Sequence, residues 1–225
     1  MKQIAASIMC ADQLNLKHEL SQLEHAKVDL LHCDVMDGVY VKNLALGPEY
    51  LARVKSATTI PLDIHLATVS PLKYAQLFAS IQPMYISFHI ETCDDVFSII
   101  DYLRDQNIRP SIAINPLSPI SLLEPYLSHI DMILLMTVNP GFAGQKIQLS
   151  TIDKIAQLKM RLQELENPPL IEVDGNINLQ TIKLMENSMP DVFVLGTSAL
   201  FNQKNNNNYT KQIMQIRKQI ELKNQ

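Results

Sequence analysis

Leu30-Leu31-His32-Cys33-Asp34 is a short apolar run that ends in polar side chains. The pattern returns in Leu62-Asp63-Ile64-His65-Leu66 and in Leu170-Ile171-Glu172-Val173-Asp174-Gly175. Runs of four to five residues lie at Ile4–Ser7, Tyr85–His89, Ser111–Asn115, Met132–Met136 and Val192–Leu195. Together with Leu30–Asp34, Leu62–Leu66 and Leu170–Val173 they make eight predicted strands, rich in Ile, Leu and Val as buried parallel strands are. Between them the apolar spacing changes to that of helices. Leu16, Leu20 and Leu23 share one face, as do Ile152, Ile155, Ala156 and Lys159 with its long aliphatic stem. Pro48, Pro71 and Pro119 each introduce a helical stretch. Ile213, Ile216 and Ile220 mark a C-terminal helix over Tyr209–Leu222, preceded by a polar loop at Asn205–Asn208.

Eight βα units in 225 residues, with no Gly/Ser linker, predict one α/β domain over residues 1–225, a closed (β/α)8 TIM barrel. The competing architecture, a doubly wound open sheet, usually carries a Gly-rich turn after its first strand, and Met9-Cys10-Ala11-Asp12 is not one.

Composition narrows the function. The chain is 47% apolar and 19% charged with a net charge of −4, and it has no basic cluster, so neither nucleic acid nor an anionic membrane is an expected partner. Its three cysteines, Cys10, Cys33 and Cys93, form no CxxC pair, which disfavours a disulfide scaffold or a thiolate zinc site and fits a reducing cytoplasm. The N-terminus lacks the apolar core of a signal peptide, and no apolar run approaches the roughly 20 residues of a membrane span.

In a barrel the chemistry belongs at the C-terminal ends of the strands. Side chains two apart on a strand point the same way, so His32 with Asp34, Asp63 with His65, and Glu172 with Asp174 converge from three strands. Any one of these alone reads as a hydrogen-bonded anchor. Several together are costly to bury without a partner, and two imidazoles with two carboxylates suit a divalent ion such as Zn, Fe, Mn or Co. The six glycines, at 38, 47, 141, 144, 175 and 196, all fall in predicted loops, and four of them follow the last three strands. Backbone N–H groups there can approach an anion, and the loops after strands seven and eight of such barrels commonly hold phosphate. Gly196-Thr197-Ser198 is expected to open a short helical stretch. His89 and Glu91 share a strand-end spacing that fits either a supporting role behind the site or a structural one. His18, His25 and His129 fall on predicted helices as surface residues, and Cys33 points away from the barrel mouth.

The chain resembles the ribulose-phosphate 3-epimerase family in Ser7-Ile8-Met9-Cys10-Ala11-Asp12, His32-Cys33-Asp34-Val35-Met36-Asp37-Gly38 and Pro61-Leu62-Asp63-Ile64-His65-Leu66. The likeness continues in Met136-Thr137-Val138-Asn139-Pro140-Gly141-Phe142-Ala143-Gly144-Gln145, Glu172-Val173-Asp174-Gly175 and Val194-Leu195-Gly196-Thr197-Ser198. These segments follow the family's order from about residue 4 to 202. The resemblance implies one divalent metal ion held by His32, Asp34, His65 and Asp174, with Asp34 and Asp174 doubling as the acid/base pair. It also implies a substrate site of Ser7, His65, Met36, Met136, Gly141, Phe142, Ala143, Gly144, Gly175, Asn176, Gly196 and Thr197, and a homo-oligomer, dimer or hexamer. Where the family usually has Gly-His-Phe-Val-Pro-Asn, this chain has Gly38-Val39-Tyr40-Val41-Lys42-Asn43. Ala67-Thr68 replaces Met-Val after His65-Leu66, and Asn176 replaces a second glycine after Asp174-Gly175. None of these removes an implied ligand or acid/base residue.

The implied reaction inverts carbon 3 of a phosphorylated 2-ketose through an enediolate: D-ribulose 5-phosphate to D-xylulose 5-phosphate, or D-allulose 6-phosphate to D-fructose 6-phosphate. Met9-Cys10, Ala143, Gly196-Thr197-Ser198 and Leu200-Phe201-Asn202 lean toward the allulose relative. Met36 and Met136 fit a dry, polarisable floor or ordinary packing equally well. Two other readings compete. A phosphate-binding barrel lyase would place a lysine at a strand end, and no predicted strand ends in one. A non-catalytic sugar-phosphate-binding protein would be marked by loss of an acid/base carboxylate, and both are present.

Overall fold

The structure is a computed structural model that describes residues 2–202 and 208–221. Residues Asn205–Asn207 of the expected polar loop, and Leu222 of the expected helix, lie outside the described residues. Eight parallel strands form a closed barrel: β1 (Gln3–Ser7), β2 (Leu30–Asp37), β4 (Leu62–Ala67), β5 (Tyr85–His89), β6 (Arg109–Ile114), β7 (Met132–Met136), β8 (Leu170–Asp174) and β9 (Val192–Leu195). Closure comes from β1, which pairs with β2 through Ala5↔Leu30 and Ser7↔His32 and with β9 through Ile4↔Phe193 and Ala6↔Leu195. The open-sheet alternative therefore falls. A two-residue strand that the sequence pattern does not signal, β3 (Leu44–Ala45), runs antiparallel to the end of β2.

Alternation along each strand sorts the side chains. Leu31, Cys33 and Val35 of β2, like Ile64, Leu66, Ile86 and Phe88 on the next strands, face outward into the main core under the helices. Cys33 thus points away from the mouth. The inward set closes the bottom of the barrel with Ala5, Leu30, Tyr85, Met132 and Val192. Above this apolar plug the inward positions become polar, with His32, Asp63, Ser87, Ser111 and Glu172 all buried.

The helices form where local chemistry starts them. Pro48 and Pro71 open α2 (Pro48–Ala57) and α3 (Pro71–Ala79) at their first position, where a missing N–H costs nothing. Asp95 caps α4 (Val96–Asp105) by accepting from the Ser98 N–H; α5 (Ser150–Leu162) follows β7, and Asn178 forms a capping box with Thr181 at α6 (Leu179–Leu184). After β6 the connection is a 3-10 helix, Ile120–Tyr126, with Pro125 inside it; that proline lacks the N–H an α-helix would use there. His129 lies in the turn that follows rather than on a helix. Residues 196–200 make a hydrogen-bonded turn, not the expected helical stretch. α7 (Tyr209–Glu221) buries Ile213, Ile216 and Ile220, each worth roughly 1.5–3 kcal/mol of apolar burial. It also ties back to α1 (Leu16–His25), where the Tyr209 hydroxyl donates to Glu19. Among the described residues no helix is long and apolar enough to cross a membrane.

Candidate active site

At the C-terminal end of the barrel lies a cavity of about 310 Å³. Register sets its floor. His32 pairs with Asp63 and Asp34 with His65 across β2 and β4, while Met136 pairs with Asp174 across β7 and β8. Asp34, His65 and Asp174 reach the cavity, whereas His32, Asp63 and Glu172 lie beneath it, each fully buried. The sequence periodicity gives the inward face of all six without separating these two depths.

His32 Nδ1 lies 2.6 Å from Asp63 Oδ2. A ring nitrogen that close to a carboxylate donates, so Nε2 is turned upward. Nε2 is buried without a hydrogen-bond partner, 3.5 Å from Asp34 Oδ1 and 3.9 Å from Asp174 Oδ2. His65 Nδ1 lies 3.2 Å from Asp34 Oδ1, and the Ser7 hydroxyl donates to Asp34 Oδ2 at 2.9 Å. One ligand atom from each of His32, Asp34, His65 and Asp174 falls within 4.8 Å of the others. Ligands about 2.0–2.2 Å from a divalent ion stand about 3–4 Å apart, so the unpartnered Nε2 and the mixed nitrogen–oxygen donor set fit such an ion. A second group, His32, Asp63 and Glu172, meets the same spacing but does not line the cavity.

The electrostatics of the carboxylates are unequal. Burial raises the Asp34 pKa, but the His32 and His65 imidazoles outweigh it and hold the group well below the usual carboxylate range. Burial dominates at Asp174, and with the Asp34 charge beside it the pKa is pushed up to about 7, against the pull of His32. Glu172 is raised to about 8 by burial and by Asp63. Burial disfavours a charged His32, yet Asp34 and Asp63 together raise its pKa well above the ordinary value. Burial lowers His65 to about 4.

Every residue expected to touch substrate lines the cavity. Ser7, Met36, His65 and Met136 surround the deep end. Gly141, Phe142, Ala143 and Gly144 form one wall, and Gly175, Asn176, Gly196 and Thr197 the other. Both methionines are buried, at 6% and 2% exposure, and Phe142 is half exposed. Gly175 has a φ of +122°, and a Cβ there would lie 2.6 Å from Val138 Cγ2 and 2.8 Å from its backbone nitrogen, so only glycine fits. Asn176 takes the next left-handed position, φ +54°, which asparagine tolerates. Its side chain donates to Gln145 O at 2.7 Å, which joins the two walls, and accepts locally from Asn178 Nδ2 at 2.8 Å.

The sequence reading assigns no role to Val41, Asn43 or Thr137, names Cys10 only for substrate preference, and leaves His89 between a supporting and a structural role. Asn43 Nδ2 donates to Gly141 O at 2.7 Å, and Val41 packs where a Gly141 Cβ would stand. The Thr137 hydroxyl donates to Asp174 O and Gly175 O and so holds the turn after β8. Cys10 lines the cavity 3.9 Å from the Ser7 hydroxyl, its thiol pKa raised to about 11 by burial and by Asp34. His89, buried at the end of β5, brings Nε2 to 2.9 Å from His65 Nε2. The doublet His89-x-Glu91 is the only sequence signal of that contact.

A sequence profile described as "Ribulose-phosphate 3 epimerase family" matches residues 3–201. The chain is 36% identical to the ribulose-phosphate 3-epimerase of Bacillus subtilis (strain 168), over 90% of this chain and 94% of that one. It is 34% identical to the enzyme of the same name from Escherichia coli (strain K12), over 98% and 97%. Among solved structures it is similar to KGPDC from Streptococcus mutans, with a TM-score of 0.69 at 11% identity over 99% of each chain. It is also similar to 3-hexulose-6-phosphate synthase from Salmonella typhimurium, with a TM-score of 0.67 at 16% identity over 99% of each. At such identities these two likenesses speak for the barrel alone. The profile match over nearly the whole chain and the full-length relatives establish more than the fold: the chain belongs to the ribulose-phosphate 3-epimerase family.

Proposed function

We propose that this protein is a metal-dependent ketose-phosphate 3-epimerase that moves the carbon-3 proton between Asp34 and Asp174. The observation that carries the reading is the pair itself. The two carboxylates arrive from β2 and β8, with β1 and β9 between them, and both line one cavity. His32, Asp34, His65 and Asp174 would hold a divalent ion. That ion would supply Lewis-acid polarisation of the ketose carbonyl, which acidifies the neighbouring C–H.

Inversion needs a proton taken from one face of carbon 3 and another returned to the opposite face. Asp34, held ionised chiefly by His32, is the natural base of the pair, and Asp174, which arrives from β8, the natural acid. After one turnover the proton count is unchanged and the two carboxylates have exchanged roles, so the reverse reaction uses the same groups. Ser7, donating to Asp34 Oδ2, fixes the orientation of that carboxylate. Met36 and Met136 keep the deep end apolar and exclude water from the reacting carbon. Backbone N–H groups at Gly175, Asn176, Gly196 and Thr197 suit the phosphate, whose binding energy would orient the sugar.

D-Ribulose 5-phosphate is the first substrate proposed, in line with the names of the curated relatives. D-Allulose 6-phosphate is the second, favoured by Cys10 and Ala143 in the cavity wall. The test is exchange of the carbon-3 proton, followed by NMR in deuterated water with each ketose and metal-loaded protein. Exchange with one sugar alone would identify it, and exchange with neither would overturn the epimerase reading.

A further inference from the structure

Behind the candidate metal ligands runs a chain of polar contacts, buried at the two histidines and reaching the surface at Glu91, that the proposed reaction does not use. His65 presents Nδ1 to Asp34 Oδ1 at 3.2 Å and turns its other nitrogen away from the cavity. That nitrogen, Nε2, meets His89 Nε2 at 2.9 Å. His89 Nδ1 then lies 3.2 Å from Glu91 Oε2. The remaining Glu91 oxygen, Oε1, accepts from the Asn115 N–H at 2.8 Å and from the Ser118 hydroxyl. Lys154 secures that end by donating to the backbone oxygens of Asn115 and Ser118. His89 is fully buried and held sideways by Tyr40, whose ring lies 4.9 Å away, centroid to centroid; the Tyr40 hydroxyl accepts from Asn115 Nδ2.

The direction of this chain follows from what each atom can do. Two imidazole nitrogens facing each other at hydrogen-bond distance share one proton; two protons would clash and none would leave two lone pairs opposed. Glu91 receives two donors on one oxygen and is an acceptor on the other, so His89 Nδ1 is the donor toward it. A neutral His89 then has only a lone pair at Nε2. His65 must supply the proton between the rings, which leaves its own Nδ1 with a lone pair aimed at Asp34 and the ligand cluster. That lone pair beside a carboxylate oxygen is unfavourable alone and favourable around a cation.

We propose that His89 and Glu91 form a directional relay that sets the tautomer of His65 and presents its Nδ1 lone pair to a divalent ion. The inference rests on the metal reading given under Proposed function and adds to it which residues orient the ligand. His89 and Glu91 are positioning residues: neither touches the cavity, and both act through His65. Ligand histidines usually anchor the far nitrogen directly on a carboxylate, a carbonyl or water; here a second histidine is inserted between ligand and carboxylate.

Glu91→Gln is the decisive variant, because it keeps size and shape. The amide oxygen can still accept from Asn115 and Ser118, while the amide N–H₂ takes the place of Oε2 and donates to His89. The relay then reverses: His89 carries its proton on Nε2, and His65 is driven to protonate Nδ1, where the ion should bind. Two readouts follow on the full chain. Competition with a chromophoric chelator for Zn(II) should show Glu91→Gln weaker than wild type by about 10- to 100-fold, the usual range for such outer partners. Long-range ¹H–¹⁵N NMR of the histidine rings should place the His65 proton on Nε2 in wild type and on Nδ1 in the variant, a change that a merely structural role for Glu91 would not produce. His89→Gln serves as a second variant. Its amide oxygen can still accept from His65, so its Zn(II) affinity should fall less than that of Glu91→Gln. Equal Zn(II) affinity in wild type and Glu91→Gln, or a His65 proton on Nδ1 in wild type, overturns the relay and leaves the metal site standing. Wild-type protein that takes up no Zn(II) or Co(II) at all overturns the metal reading, and the relay with it.

Discussion

Gly175→Ala measures how tightly the turn after β8 is built. At φ +122° an alanine carries a backbone cost of about 1–3 kcal/mol. Its Cβ would also press on Val138 Cγ2 at 2.6 Å, Val138 N at 2.8 Å and Thr137 Oγ1 at 2.9 Å. Two of these are not free ends of flexible side chains: the Val138 nitrogen is backbone, and the Thr137 hydroxyl is held by Asp174 O and Gly175 O. Overpacking of that kind adds about 1–3 kcal/mol, for a total of about 2–6 kcal/mol. Gly144→Ala is the control. It has a φ of +84° but nothing within 4 Å, so only the backbone part applies, about 1–3 kcal/mol. In urea, with a slope of about 3 kcal/mol/M, the Gly175 variant should unfold roughly 0.7–2 M below wild type and below the Gly144 variant. If the two alanine variants unfold together, the packing around Gly175 is looser than described and the argument for an obligatory glycine there fails.

Asp34→Asn and Asp174→Asn should each lower carbon-3 exchange by at least about 10²-fold, the usual contribution of a positioned acid or base; near-normal exchange in both would refute the paired-carboxylate mechanism. Asn176→Gly gives up two side-chain hydrogen bonds, one of which joins the cavity walls, roughly 1 kcal/mol or more, and relaxes a left-handed backbone. Its KM for the phosphorylated ketose should rise about fivefold with kcat little changed, and an unaltered KM would show that the clasp does not shape the site. Asp191 accepts from Lys2 at 2.7 Å, Lys159 at 3.2 Å and the Ile171 N–H at 3.0 Å. Although burial raises its pKa, these donors hold it below the ordinary Asp value of about 3.9. A depressed carboxylate stabilises the fold above that value, and the benefit drains away as pH falls through the folded-state pKa. Asp191→Asn should therefore cost about 1–2 kcal/mol near pH 7 and less below pH 3 in urea titrations; an equal cost at both pH values would contradict the assignment.

The strands were legible because a parallel barrel buries both faces of each strand, which leaves compact apolar runs such as Met132–Met136. β3 left no such mark, since Leu44 and Ala45 pair only along the overhanging end of β2. The connection after β6 read as helical from Pro119, but Pro125 removes a donor that an α-helix would need. The turn at residues 196–200 shows the same limit, for a few residues of helical spacing do not fix the longer hydrogen-bond ladder. For the site, period-two alternation identified inward faces at His32, Asp34, Asp63, His65, Glu172 and Asp174 but carried no information on depth. Depth is set by register between strands, as when His65 pairs with Ser87 and leaves His89 beyond that pair on β5, against the His65 ring. Contacts of this kind, like Asn43 on Gly141, join residues far apart in the chain and have no local pattern to read.

The hold of Asn43 and Val41 on Gly141 has a consequence for the choice of sugar. Asp34 stands on the strand that leads into the Asn43 loop, and Gly141 belongs to the wall beside the phosphate position. Under the proposed reaction the strut between them would work as a ruler, setting the span from the proposed anion cradle to the carboxylate that would take the proton. A ketose would then be sorted by the number of carbons separating its phosphate from carbon 3. Lengthening that strut, more than altering any group that carries a proton, is the change that would let this barrel accept a longer sugar.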